Sequence, residues 1–195
     1  MYRSKEEKIE LRAKYIEVRK DLDPELKMKR DEAICKSFTS LVSYRYAENV
    51  LMYYPKAFEI DVRPIMHKAL ADGKRVAFPR CAPDGSPNME FHFVNSDDDL
   101  EVGIFKIKAP KEGCEKFDKS VAKGPTVILV PALSFDKHGY RLGYGKGFYD
   151  RYIDKNRMTA VGIIYSDCIE DKLPKGRYDL SVHFMVTDKG VKIVD

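Results

Sequence analysis

TVILVP, residues 126–131, runs directly into ALSFDKHGYRLGYGKGFYDRYI, residues 132–153. The first piece is an unbroken apolar run of strand length that ends on proline. A strand covered on both faces has no need of polar alternation, so this run predicts an interior strand of a parallel sheet. The last part of the second piece, continuing to Asn156 as KGFYDRYIDKN, is predicted to be helical. Between strand and helix lie Gly139, Gly143, Gly145 and Gly147, with Arg141 and Lys146 interleaved. In open α/β sheets ligands bind beyond the C-terminal ends of the strands, which makes the segment after TVILVP the expected seat of chemistry.

The same alternation extends outward in both directions. Downstream, TAVGIIY (Thr159 to Tyr165) and HFMVT (His183 to Thr187) read as strands. Upstream, NVLMYY from Asn49 is a short buried strand, DVRPIMHKALADG a helix ending at Gly73, and RVAFP and MEFHFV (Met89 to Val94) two further strands. The N-terminal part predicts two helices. Ser4 and Glu7 have the spacing of a capping box. Ile9, Ala13 and Ile16, with Tyr15, Val18 and Leu22, recur at helical spacing as a candidate apolar stripe. Asp23-Pro24 reads as an N-cap followed by proline at the first helical position, with Leu26, Ile34, Phe38 and Leu41 as the second stripe. Two stretches, Cys81 to Asn88 and Lys108 to Pro125, read as loops. The expected fold is therefore α/β and layered, a mainly parallel central sheet flanked by helices in a Rossmann-like arrangement, as one domain over residues 1–195.

Composition narrows the function classes. Of 195 residues, 44% are hydrophobic and 34% charged, which suits a soluble globular protein. The net charge of +4 is too small for a nucleic-acid face and compatible with an anionic small molecule. Cys35, Cys81, Cys114 and Cys168 stand far apart and form no metal or redox pair, as expected of reduced thiols in the cytoplasm. The charged N-terminus has no signal-peptide core, and no run approaches the ~18 apolar residues of a membrane span. His67, His92 and His138 show no ligand spacing.

Glycines permit positive φ and close backbone approach, and successive amides in such a turn form a nest for anions that the following helix N-terminus reinforces. Arg141 and Lys146 can neutralise phosphate oxygens, and Asp150, early in the helix, can hold Mg²⁺. The motif is neither a Walker A loop nor GxGxxG. On residue chemistry alone it equally describes a tight turn, with Asp150 serving the helix dipole.

The segment PALSFDKHGYRLGYGKGFYDRY resembles the signature of the 5-formyltetrahydrofolate cyclo-ligase family, roughly P-G-x-x-F-D-x-x-G-x-R-L-G-x-G-x-G-Y-Y-D. Pro131, Phe135, Asp136, Gly139, Arg141, Leu142, Gly143, Gly145, Gly147, Tyr149 and Asp150 all occupy its positions. KIELR (Lys8 to Arg12) is similar to the family's N-terminal K-x-x-L-R, and YYPKAFEID to a strand end carrying a substrate-contacting glutamate, here Glu59. FPR (Phe78 to Arg80), Met89-Glu90-Phe91 and RYDLSVHFMVTD also have family counterparts, so the likeness spans nearly the whole chain.

The resemblance implies MgATP-driven closure of 5-formyltetrahydrofolate to 5,10-methenyltetrahydrofolate, by a monomer acting on small molecules without nucleic acid or membrane. It implies Lys146 and Arg141 as catalytic cations, and Lys8, Arg12, Arg141, Leu142, Gly143, Tyr144, Gly145, Lys146, Gly147, Phe148 and Tyr149 around ATP. Tyr54, Glu59, Tyr144, Gly145, Lys146, Gly147 and Phe148 would face the folate, and Asp150 the Mg²⁺ cofactor. Phe91 joins Tyr54, Tyr144, Phe148 and Tyr149 as a candidate for flat contact with pterin or adenine. Three positions depart from the family pattern: Ser134, Tyr144, and His183, which stands where a second aspartate is common. His183 is expected near the phosphates but not as a metal ligand. Two other classes stay open at this stage, a non-catalytic nucleotide- or phosphosugar-binding module and a nucleic-acid binder.

Overall fold

TVILVP occupies the centre of the molecule in the computed structural model, which describes residues 2–82, 84, 86, 88–156, 158–176 and 179–194. In chain order the helices are α1 (Tyr2–Lys20), α2 (Pro24–Ser40), α3 (Val42–Tyr46), α4 (Arg63–Ala71) and α5 (Phe148–Asn156). The strands are β1 (Asn49–Leu51), β2 (Arg75–Cys81), β3 (Met89–Val94), β4 (Leu100–Val102), β5 (Lys108–Pro110), β6 (Thr126–Pro131), β7 (Ser134–Asp136), β8 (Arg141–Leu142), β9 (Thr159–Ile163), β10 (Ile169–Glu170), β11 (Phe184–Thr187) and β12 (Gly190–Ile193).

Seven strands form the main sheet in the order β12-β11-β9-β6-β1-β2-β3. The five inner strands run parallel, and the two edges, β3 and β12, are antiparallel to their neighbours. Residues 127–130 of β6 are all buried, between β1 on one side and β9 on the other, which is why that stretch carries no polar residue. The expected mainly parallel α/β sheet is thus the observed one. A small sheet, β10-β7-β8, and a hairpin, β4-β5, stand beside it.

The second helix begins as its sequence predicts. Asp23 accepts hydrogen bonds from the backbone N–H of Glu25 and Leu26, and Pro24 opens the helix. Helix α1 differs. It starts at Tyr2, ahead of Ser4, and the Ser4 side chain lies outside the described residues. Ile9 and Val18 are exposed, as are Ala13 on α1 and Leu26 on α2. The inward side of α1 presents Lys8, Arg12, Tyr15 and Arg19, spaced four, three and four residues apart. Arg19 is buried and donates from Nη2 to the carbonyls of Ala132 (2.6 Å) and Leu133 (3.0 Å), just beyond β6. The patternless stretch from Lys108 is also more ordered than a loop. It forms β5 and then runs along the edge of β3, where Phe117 donates its backbone N–H to the carbonyl of Phe91 (2.8 Å) and buries its ring.

Candidate active site

The C-terminal ends of β1, β2 and β6 open onto a cavity of about 760 Å³, within the usual range for small-molecule sites. Its walls come from α1, the turn after β1, the β4-β5 hairpin and the glycine segment. All but one of the residues the sequence assigned to ATP, folate or metal line it, from Lys8 and Arg12 through Tyr54 and Glu59 to the run Arg141–Asp150; Phe91 is the exception. It is fully buried behind the wall and packs against Tyr149 and Tyr152, so its expected flat contact with a ligand is corrected to a core role.

The glycine segment leaves the small sheet at Leu142 and enters α5 at Phe148. Gly145 (φ +92°) and Gly147 (φ +66°) adopt left-handed backbone, and a Cβ on Gly145 would press against the Arg12 guanidinium at 3.3 Å. Arg12 donates from Nε to the carbonyl of Gly143 (2.9 Å), tying α1 to the loop. Arg141 is buried and pairs with Asp150 at 2.8 Å. Burial pushes its pKa below the ordinary arginine value, and the charge of Asp150 works against that shift. Lys146 is exposed on the loop, and its carbonyl accepts from Arg151. Asp150 also accepts from the backbone N–H of Leu180 (3.3 Å).

A second carboxylate escaped the reading of the sequence. Asp179 lines the cavity and pairs with Lys8 at 2.7 Å. Burial alone would raise its pKa, but the Gly176 N–H, Lys8 and Arg141 outweigh that and hold it below the ordinary aspartate value. His183 stands elsewhere. It is exposed at the N-terminal end of β11, where its Nδ1 accepts from the backbone N–H of Ala160 (3.0 Å), and it does not line the cavity. The expectation that it sits by the phosphates is therefore corrected, and the nearby carboxylate is four residues earlier in the chain. Nothing short of the fold distinguishes Asp179 in RYDLSVH.

Another part of the cavity wall is built on Glu59. Its carboxylate is buried, accepting at Oε2 from the Lys56 backbone N–H (2.7 Å) and at Oε1 from the Tyr144 hydroxyl. Burial and the adjacent Glu59 charge push the Tyr144 phenol well above its ordinary pKa, so it remains a donor. Lys56 lies over the Tyr144 ring at 4.3 Å. The Tyr149 hydroxyl is buried with no hydrogen-bond partner among the described residues. Ile104, Phe105 and Lys108 of the hairpin overhang the cavity, Phe105 and Lys106 being held at φ +64° and +56°.

The sequence profile of the 5-formyltetrahydrofolate cyclo-ligase family matches residues 4–188, a span that contains the whole cavity. The chain belongs to that family. It is 26% identical over 176 residues to the 5-formyltetrahydrofolate cyclo-ligase of Escherichia coli K12, covering 89% of this chain and 96% of the relative. The NMR structure of the Aquifex aeolicus 5,10-methenyltetrahydrofolate synthetase superposes with a TM-score of 0.83 at 32% identity, covering 96% of this chain and 92% of that one. A synthetase of the same name from Mycoplasma pneumoniae shares the fold, with a TM-score of 0.73 at 23% identity over 93% of this chain and 98% of the other. Pro131 and the run Arg141–Asp150 of the cyclo-ligase signature line the cavity.

Proposed function

We propose that the chain converts 5-formyltetrahydrofolate to 5,10-methenyltetrahydrofolate with consumption of MgATP, as a monomer in the cytoplasm. One observation carries this reading: a single cavity is lined both by a glycine loop rimmed by Lys8, Arg12, Arg141 and Lys146 and by buried Glu59, which accepts from the Tyr144 hydroxyl. Two ligands of different chemistry have room to meet there.

The formyl group on N5 is an amide, a poor electrophile whose oxygen is a poor leaving group. Its oxygen attacks the γ-phosphorus of ATP, the bond to the β-bridging oxygen breaks, and ADP leaves. N10 then attacks the phosphorylated iminium carbon. The ring closes, N10 loses its proton, and phosphate departs with the former formyl oxygen. Such a reaction asks for alignment and charge neutralisation, with no side-chain nucleophile. Lys146 and Arg141 neutralise the transferring phosphoryl group, and Lys8 and Arg12 hold the polyphosphate. The amides of Gly143, Gly145 and Gly147 cradle it, with Leu142, Tyr144, Phe148 and Tyr149 as neighbours. Glu59 anchors the reduced pterin, and Tyr54 and Tyr144 lie against it.

Asp150 and Asp179 suit Mg²⁺, being hard oxygen donors on one wall of the cavity, and no cluster of three or more candidate ligands occurs among the described residues. A pair of carboxylates is the complement Mg²⁺ uses when phosphates and water complete its shell. Bound there, the ion would neutralise phosphate charge.

Pure protein mixed with 5-formyltetrahydrofolate and MgATP should generate the methenyl chromophore and ADP in equal amounts. Folded protein that forms neither would overturn the proposal.

A further inference from the structure

Seven cationic side chains line the cavity: Lys8, Arg12, Lys56, Arg80, Lys108, Arg141 and Lys146. Three stand in ion pairs, Lys8 with Asp179, Arg80 with Glu101 and Arg141 with Asp150. Arg12 spends its Nε on the Gly143 carbonyl. Lys56 has no carboxylate within ion-pair distance among the described residues, and the proposed mechanism has left it unused.

Its position is defined at both ends. The main chain of Lys56 is fixed to the folate end, because its N–H donates to Glu59 Oε2 at 2.7 Å. Its ammonium lies 4.3 Å from the centre of the Tyr144 ring and 6.0 Å from that of Phe58. Tyr144 immediately precedes Gly145 and Lys146 in the phosphate loop, and its hydroxyl donates back to Glu59. The charge of Lys56 thus lies over a ring that joins the glycine loop to Glu59. A cation held on an aromatic face keeps its charge and its remaining donors.

We propose that Lys56 is a further catalytic residue, whose ammonium contacts the phosphoryl group as it passes from ATP to the formyl oxygen. This rests on the reaction proposed above. As the γ-phosphorus–oxygen bond to ADP breaks and the bond to the formyl oxygen forms, negative charge spreads over the three equatorial phosphoryl oxygens. Lys146 and Arg141 approach that charge from the nucleotide side. Lys56 meets it from the folate side, and stays beside the same oxygens when phosphate leaves the ring-closed product. Lys56 transfers no proton in either step.

Lys56→Met keeps the backbone N–H on Glu59 and an apolar stem on Tyr144 while removing the charge. With 5-formyltetrahydrofolate and MgATP, this variant should lose about tenfold or more in kcat, with both KM values close to the parent's and an unchanged thermal midpoint. Lys56→Arg should recover most of the rate. A kcat for Lys56→Met equal to the parent's would overturn the proposal. So would a loss that appears only in the folate KM and vanishes with 5-formyltetrahydropteroate, which lacks the glutamyl carboxylates; Lys56 would then hold the substrate's tail. An inactive parent defeats the proposed function and this inference together, whereas an active parent with an equally active Lys56→Met defeats this inference alone.

Discussion

Lys8, Arg12, Tyr15 and Arg19 show what apolar periodicity leaves out of the first helix. Their spacing is that of an inward helical face, but that face carries three cations and a phenol; of the expected stripe, Tyr15, Ile16 and Leu22 pack on the core, whereas Ile9, Ala13 and Val18 face solvent. A helix normally docks through an apolar stripe. This one packs Leu11, Tyr15 and Ile16 against the core and adds hydrogen bonds from Arg12 and Arg19 and an ion pair from Lys8, none of which hydrophobic periodicity can signal. Lys8→Ala combined with Arg12→Ala should raise the ATP KM while leaving folate affinity in place, because both side chains reach the glycine-loop end. Saturation with ATP at the parent's concentration would make them purely structural. Asp150→Asn and Asp179→Asn should each weaken magnesium-dependent turnover by tenfold or more, about 1.4 kcal/mol of transition-state stabilisation. A magnesium titration of the two variants checks this, and an unshifted curve for either removes that carboxylate from the metal site. Asp150 was legible because it closes a recognisable local motif. Asp179 was not, since its role arises only when Lys8, 171 positions away, is brought beside it.

The strand–loop–helix unit of β6, the glycine segment and α5 was the most legible element, since an apolar run, turn residues and a helical period follow one another within thirty residues. The small sheet hidden inside that segment was not. Strands β7, β8 and β10 have only two or three residues each, too few for any alternation to register. What fixes this sheet is packing. The Phe135 ring lies against β9 where Gly162 offers no side chain, and a Cβ there would come within 2.5 Å of the ring. Gly162→Ala should therefore cost roughly 1–3 kcal/mol through overpacking. It should also lower kcat, because β7 leads through β8 into the glycine loop. Urea unfolding together with a turnover assay tests both; unchanged stability would mean the small sheet shifts freely on the large one.

Long-range ion pairs close the molecule around α2. Arg30 donates to Asp167 and Asp188, which follow β9 and β11, and buried Asp31 accepts from the Tyr165 hydroxyl at 2.6 Å and from the backbone of Asp61. Arg30 holds Asp167 below its ordinary pKa. For Asp188, burial pushes upward, but the Ser166 N–H and Arg30 prevail and its pKa is also lowered. A folded pKa below the unfolded one means stability that is fully present above about pH 4 and lost as the pH falls through the folded values. Asp188→Asn should cost about 1 kcal/mol at neutral pH, allowing for solvent screening, and the difference from the parent should shrink at about pH 3. Urea midpoints at the two pH values measure it; a constant difference would show that the Asp188 charge is irrelevant. The Arg30 and Tyr165 contacts span more than 130 residues, so no window of the sequence contains them, whereas the parallel sheet they clamp was visible strand by strand.

The reaction itself leaves an isotopic trace. If the formyl oxygen attacks the γ-phosphorus, 5-formyltetrahydrofolate labelled with ¹⁸O in the formyl group should pass that oxygen to the inorganic phosphate released, one label per methenyl product formed. Mass spectrometry of the phosphate after a few turnovers reads this directly. Labelled phosphate in equal amount to the product is the predicted result. Unlabelled phosphate accompanying genuine ring closure would contradict the assignment of this cavity to phosphoryl transfer between the two ligands.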